Sequence, residues 1–158
     1  MIFFQTLSWK NFLSTGNYKT TLELTRHDNT LVSGDNGAGK STILDALTFV
    51  LFGKSFRGIN IPLLPNSINE KDCEVEIEFS IGQDKYKVIR GLKPKKFEIH
   101  KNGDMLPQDA RAHDYQKILE EQILKMTFKS FCQVVILGSS NYVPFMKLTA
   151  ADRRAVVE

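Results

Sequence analysis

Cysteine is scarce in these 158 residues: Cys73 and Cys132 stand alone, with no C-x-x-C pair and no histidine at zinc spacing. No cysteine metal centre is encoded, and both thiols read as reduced packing residues. No apolar run is long enough to cross a bilayer, and the first residues carry neither the basic start nor the small-residue cleavage site of a signal peptide. The expectation is a cytoplasmic protein with no membrane partner. Neither sign of charge dominates. A formal balance of +3 is too small to establish a nucleic-acid partner, so that question turns on where the charges sit. Disorder is excluded as well, because 42% hydrophobic and 25% charged residues suit an ordinary globular chain of single-domain length.

What is present is a glycine-rich loop. Gly34-Asp35-Asn36-Gly37-Ala38-Gly39-Lys40-Ser41, followed by Thr42, reads G-x-x-x-x-G-K-[ST], the phosphate-binding loop of P-loop nucleotide triphosphatases. Its glycines let the backbone turn tightly and bring successive N–H groups to phosphate oxygens, where the positive end of a helix adds to the attraction. Asn36, Gly37, Ala38 and Gly39 are the expected backbone cradle. Lys40 is expected along the β- and γ-phosphates of ATP, the Ser41 hydroxyl on Mg²⁺, and Thr42 at the α-phosphate. The flanks agree with the motif. Thr30-Leu31-Val32 is expected as a short buried strand entering the loop and Ser41 to Phe52 as a helix leaving it. Its apolar stripe is Ile43, Leu44, Leu47, Val50 and Leu51, and Gly53 is its C-terminal cap.

Strands are expected at Ile2 to Trp9 and Tyr18 to Leu24, then an irregular surface connection from Ser55 to Lys71. Val75, Ile77, Phe79 and Ile81 alternate with Glu74, Glu76, Glu78 and Ser80, which predicts a half-buried strand. A turn at Gly82-Gln83-Asp84, strands at Tyr86 to Arg90 and Phe97 to Lys101, and the hairpin signal Asn102-Gly103 continue it as an antiparallel meander. Helical spacing over His113 to Lys125 and an apolar run from Gln133 to Leu137, suited to a central strand, complete an α/β layout. A small GTPase is excluded, since no Asp is followed three residues later by Gly and Asn69-Glu70-Lys71-Asp72 has the guanine reader's letters in the wrong order. The meander also argues against a kinase-type P-loop fold, which places parallel strands and crossover helices soon after the loop.

Trp9-Lys10-Asn11-Phe12-Leu13-Ser14, the run from Ser33 to Leu47, and Leu51-Phe52-Gly53 resemble the N-terminal half of the SMC and SbcC type of ABC ATPase. Phe131 to Gly138 with Pro144-Phe145-Met146 is similar to the viral members of that family, the ATPase subunits of phage recombination endonucleases. The resemblance covers the chain. It implies an α/β P-loop ABC-ATPase-type lobe over residues 1–147 with an added antiparallel meander, and the start of a coiled-coil helix over 148–158. It further implies an ATP-driven head, at work in the bacterial host cytoplasm if viral, that processes double-strand DNA ends in recombination and repair. The implied partners are a C-terminal lobe of the same ATPase, a second ATPase head, a metallophosphoesterase nuclease subunit and double-stranded DNA. An SMC-like DNA tether without a nuclease, and a nucleotide-dependent binding module without turnover, remain alternatives.

By the same resemblance Asn11 and Ser14 join the nucleotide contacts. Leu13 stands where relatives often carry a nucleotide-holding Arg, and it brings no charge. Alignment on Phe131 and Phe145 puts Ser139 at the Q-loop position, where the family has a Gln touching Mg²⁺ and the attacking water; Gln133 reads as a strand residue. The family's Walker B pair and signature loop do not occur in these residues, so the chain by itself is expected to be inactive as an ATPase. Thr149 and Asp152 make a capping-box-like helix start, after which the helix looks cut. Lysines crowd the meander, and Lys93, Lys95 and Lys96 are the candidate contacts to DNA phosphates, set against the plain reading of a solvated, edge-protecting hairpin.

Overall fold

The structure is a computed structural model that describes residues 1–37, 39–108, 112–136 and 145–157. The chain divides into two compact units, Met1–Ala112 and His113–Glu158. In the first, alternating patterns build one antiparallel sheet from β1 (Ile2–Lys10), β2 (Thr20–Glu23), β3 (Cys73–Ile81), β4 (Asp84–Leu92), β5 (Lys96–Lys101) and β6 (Asp104–Met105), in the order β2-β1-β3-β4-β5-β6. Cys73, Val75, Ile77 and Phe79 are buried while the glutamates between them lie on the other face, as a period of two requires. Register sets Leu7 and Val88 on either side of Ile77, with Ile99 beyond Val88, and all four are buried. Each such side chain contributes about 1.5–3 kcal/mol by leaving water. The hairpins close as expected: Asn102 and Gly103 both take positive φ, 52° and 91°, the geometry of a turn that matches strand twist.

Helix α1 (Thr42–Phe52) packs on this sheet. Its buried face is not quite the expected stripe. Val50 and Leu51 are fully buried together with Ala46 and Phe49, whereas Ile43, Leu44 and Leu47 are only half-buried. The helix is rolled so that Phe49 stacks on Phe12, ring centroids 5.6 Å apart, and Asp45 turns inward to a cation described below. Gly53 ends it in the left-handed region, its N–H donating to the Phe49 carbonyl at 2.8 Å. Arg90 of β4 reaches the same helix end, donating from Nε to the Val50 carbonyl at 3.2 Å while its guanidinium lies 3.8 Å over the Phe97 ring.

Two expectations need correction here. Thr30-Leu31-Val32 is not a buried strand: Leu31 is 90% exposed and the segment is irregular. Among the described residues no strand runs beside it, and an extended segment without a ladder partner must satisfy its backbone groups otherwise. The connection from Ser55 to Lys71 is not wholly superficial either. Leu64 is fully buried and Asn66 nearly so, beside a 3-10 turn at Ile61–Leu63.

In the second unit, α2 (Ala112–Lys117) continues as a π-helical stretch, Ile118–Leu124, and stops at Lys125 in left-handed geometry. Leu119, Ile123 and Leu124 are buried, in keeping with the helical spacing. The expected strand from Gln133 is corrected: the chain forms α3 (Phe128–Val134), placing Gln133 in a helix. Thr127 caps it by accepting the Ser130 N–H at 3.2 Å, and once nucleated the turn propagates through the apolar residues that composition alone assigned to a sheet. Leu137 to Pro144, including Ser139, lie outside the described residues, as does Ala38. Helix α4 (Ala150–Val157) starts from the expected capping pair, with the Asp152 N–H donating to the Thr149 hydroxyl and that hydroxyl donating to the Asp152 carboxylate.

Candidate nucleotide-binding site

The glycine loop and the start of α1 form one wall of a cleft of about 360 Å³, lined by Leu13, Ser14, Asn36, Gly37, Gly39, Lys40, Ser41, Thr42 and Arg57. Gly37 and Gly39 sit at φ 84° and 94°, a conformation that presents backbone N–H groups without a side chain in the way. A Cβ at Gly39 would meet the Thr42 hydroxyl at 3.7 Å and the Ser14 hydroxyl at 3.9 Å, so two hydroxyls from distant segments converge beside the loop. Lys40 donates from its ammonium to the Gly34 carbonyl, which folds the cation over the loop. Ser41 is exposed on the cleft and is the hydroxyl suited to Mg²⁺, a hard cation that takes oxygen ligands and keeps several waters.

Of the expected nucleotide residues, Ser14, Asn36, Gly37, Gly39, Lys40, Ser41 and Thr42 come together here. Asn11 does not line the cleft. It is fully buried, with its side-chain amide donating to Asn17 Oδ1 at 2.9 Å and accepting from Asn69 Nδ2 at 2.8 Å. Leu13 does line it, as an apolar wall.

Arg57 was not anticipated. It lies in the irregular connection, and Lys40 and Arg57 are the two cations of the lining. Asp45, fully buried on α1, fixes it: Oδ2 accepts from Arg57 Nε at 2.6 Å and Nη2 at 2.5 Å, while Oδ1 accepts from the Arg57 N–H at 3.0 Å and the Ser55 hydroxyl at 2.7 Å. One signal for it existed. A carboxylate on the apolar helix that follows the loop must find a cation if it turns inward.

The meander lysines divide into two groups. Lys96 bridges Glu74 at 3.3 Å and Glu98 at 3.1 Å, and Lys87 bridges Glu76 at 3.2 Å and Glu78 at 3.4 Å, which raises both ammonium pKa values above their ordinary range, led by hydrogen bonds to Glu98 and Glu76 respectively. Strand β3 thus supplies glutamates that the lysine-rich segment does not contain. Lys93 and Lys95 lie at the exposed β4–β5 turn and, among the described residues, meet no acidic side chain. Burial pushes the Cys73 thiol up to about 12, so it stays protonated and unreactive. Among the described residues no helix is long and apolar enough to cross a membrane.

A glycine loop running into a helix that packs on an antiparallel sheet defines a P-loop nucleotide-binding lobe. The chain belongs to the AAA domain family, whose model matches residues 6–152. It is 42% identical over 152 residues to exonuclease subunit 2 of Enterobacteria phage T4, covering 96% of this chain and 27% of that protein. It is 41% identical over 150 residues to exonuclease subunit 2 of Escherichia phage RB69, covering 95% and 26%. A probable DNA double-strand break repair Rad50 ATPase of Aquifex aeolicus is 26% identical over 133 residues, 80% of this chain and 13% of that one. The chain thus spans about a quarter of the length of the phage relatives. The fold matches a solved chain from work on ATP-driven dimerization and DNA-stimulated activation of SMC ATPases, with a TM-score of 0.62 and 22% identity over 98% of this chain and 97% of that one.

Proposed function

We propose that this chain is the Mg-ATP-binding half of the ATPase subunit of a nuclease complex that processes DNA double-strand breaks for recombination and repair. The observation that carries the reading is the cleft in which Lys40, Ser41, Thr42 and the positive-φ glycines converge with Ser14 and Arg57. Backbone N–H groups and the end of α1 hold the phosphates, and Lys40 and Arg57 offset their charge. The Ser41 hydroxyl is the group of this chain that would hold Mg²⁺, which when bound would offset charge on the phosphates. Similarity to phage exonuclease subunits and to Rad50 and SbcC proteins supports a metallophosphoesterase nuclease partner, a second ATPase head and double-stranded DNA, in the cytoplasm of the bacterial host.

Turnover needs groups that these residues do not carry, an acidic pair to orient water and a loop from another head to close over the γ-phosphate. The chain by itself therefore binds ATP without hydrolysing it, and a C-terminal lobe supplying those groups completes the enzyme. Phosphate release from the chain alone and after mixing with such a lobe tests this. Lys40-dependent turnover by the chain alone would refute it.

A further inference from the structure

The turn that carries Leu13 and Ser14 to the cleft is held from outside itself. Asn11 and Leu13 both lie in the left-handed region, at φ 49° and 52°, which a non-glycine residue keeps only where its surroundings enforce it. Those surroundings come from the connection after α1. Asn66 is 6% exposed, and its side-chain Nδ2 donates to the carbonyls of Leu13 at 3.1 Å and Thr15 at 3.0 Å, the residues on either side of Ser14. Its Oδ1 accepts from the N–H groups of Ile68 at 2.9 Å and Asn69 at 3.1 Å, and its own N–H donates to the Asn11 carbonyl at 2.8 Å. The Leu13 N–H donates to the Leu64 carbonyl at 2.7 Å, and Phe12 bridges Pro65.

We propose that Asn66 is a positioning residue for nucleotide binding, its buried amide gripping the carbonyls on both sides of Ser14 and thereby setting the Ser14 hydroxyl against the phosphate loop. The proposal rests on the reading of the cleft as an ATP site. Two features separate this role from general stabilisation. The donors of Asn66 act on the cleft-lining turn, while its acceptor serves a local turn at Ile68 and Asn69. And the group being positioned, Ser14, converges with Thr42 on the same point beside Gly39.

Asn66→Asp separates the two halves of the amide. It keeps the shape and the acceptor but cannot donate to a carbonyl while ionised. Calorimetric titration of the chain with Mg-ATP is expected to show a dissociation constant raised roughly fivefold to tenfold, with a similar loss for Ser14→Ala and little further loss in the double variant. As pH is lowered through the range in which the introduced carboxyl takes up a proton, one donor returns, so the affinity ratio to the unmodified chain narrows. A role confined to folding predicts a lower melting temperature with no such recovery. Unchanged affinity in Asn66→Asp, or losses that add fully in the double variant, overturns the proposal, provided Lys40→Ala weakens binding in the same assay. If Lys40→Ala has no effect, the ATP reading itself fails. Should Asn66→Asp not fold, Ser14→Ala decides alone, since unchanged affinity there removes the group to be positioned.

Discussion

Arg57 and Asp45 meet through two donors on one oxygen, Nε at 2.6 Å and Nη2 at 2.5 Å from Oδ2, with the carboxylate fully buried and the Arg57 side chain 46% exposed. The pair therefore has a dry end and a wet end. The dry end belongs to the core under α1, and the wet end lines the cleft. Removing Arg57 strands a carboxylate with only the Ser55 hydroxyl and one backbone N–H. Arg57→Ala is expected to lower stability by about 1–3 kcal/mol, below the figure for a fully buried pair because water reaches the guanidinium. It should also weaken Mg-ATP binding. Arg57→Lys should recover part of the affinity but not the two-donor geometry. Denaturant unfolding and calorimetry measure the two effects, and an Arg57→Ala chain with undiminished ATP affinity would remove Arg57 from the site.

Lys40→Ala or Lys40→Met should weaken Mg-ATP binding by about tenfold or more, since in the proposed site it deletes a cation that offsets phosphate charge, while the melting temperature moves little because that side chain is exposed. Ser41→Ala should show its loss mainly when Mg²⁺ is present. Titrations with and without the metal separate the two. A Ser41→Ala defect of the same size in EDTA would show that the hydroxyl does not serve the metal.

For DNA, the free lysines of the β4–β5 turn are the ones to reverse. Lys93→Glu with Lys95→Glu should lower the affinity of the complete head complex for duplex DNA and reduce the slope of log affinity against log salt by about 0.9 for each phosphate that is no longer neutralised. Lys96→Glu should do less to DNA and more to stability, because it breaks bridges to Glu74 and Glu98. Anisotropy titrations at several salt concentrations give both slopes. If the pair of reversals changes neither affinity nor slope, the DNA surface lies elsewhere.

Glu76 predicts an acid signature. Partial burial pushes its carboxyl up, but hydrogen bonds and charge from Lys19 and Lys87 outweigh that and hold it below its ordinary value of 4.5. A carboxyl depressed in the folded state stabilises fully above its unfolded pKa, and that contribution disappears as pH falls through the folded value. Thermal unfolding should show Glu76→Gln less stable than the unmodified chain at neutral pH, with the gap closing below about pH 4.5. A gap that persists at about pH 2 would mean that packing, not charge, is what Glu76 supplies.

The sheet was legible because β3 is buried on one face, so Val75, Ile77 and Phe79 had to alternate with glutamates, and Asn102-Gly103 announces its own turn. The phosphate loop was legible because its glycines answer a local demand. What escaped depends on contacts between segments far apart in sequence. Neither the exposure of Leu31 nor the helical state of Gln133 follows from residue type, since one needs a neighbouring strand and the other a cap at Thr127. Arg57 and Asn66 lie in a stretch with no periodicity, and only the fold shows that one reaches Asp45 and the other the turn at Ser14.

The end of α1 under Arg90 also limits how this sequence can drift. A methyl group at position 53 would come within 2.9 Å of Arg90 Nη1, and the backbone there, at φ 69°, already disfavours any side chain. Because the atom met is the tip of a flexible side chain, that contact yields to a small shift of the guanidinium away from its seat over Phe97, and the left-handed backbone is what ties position 53 to glycine.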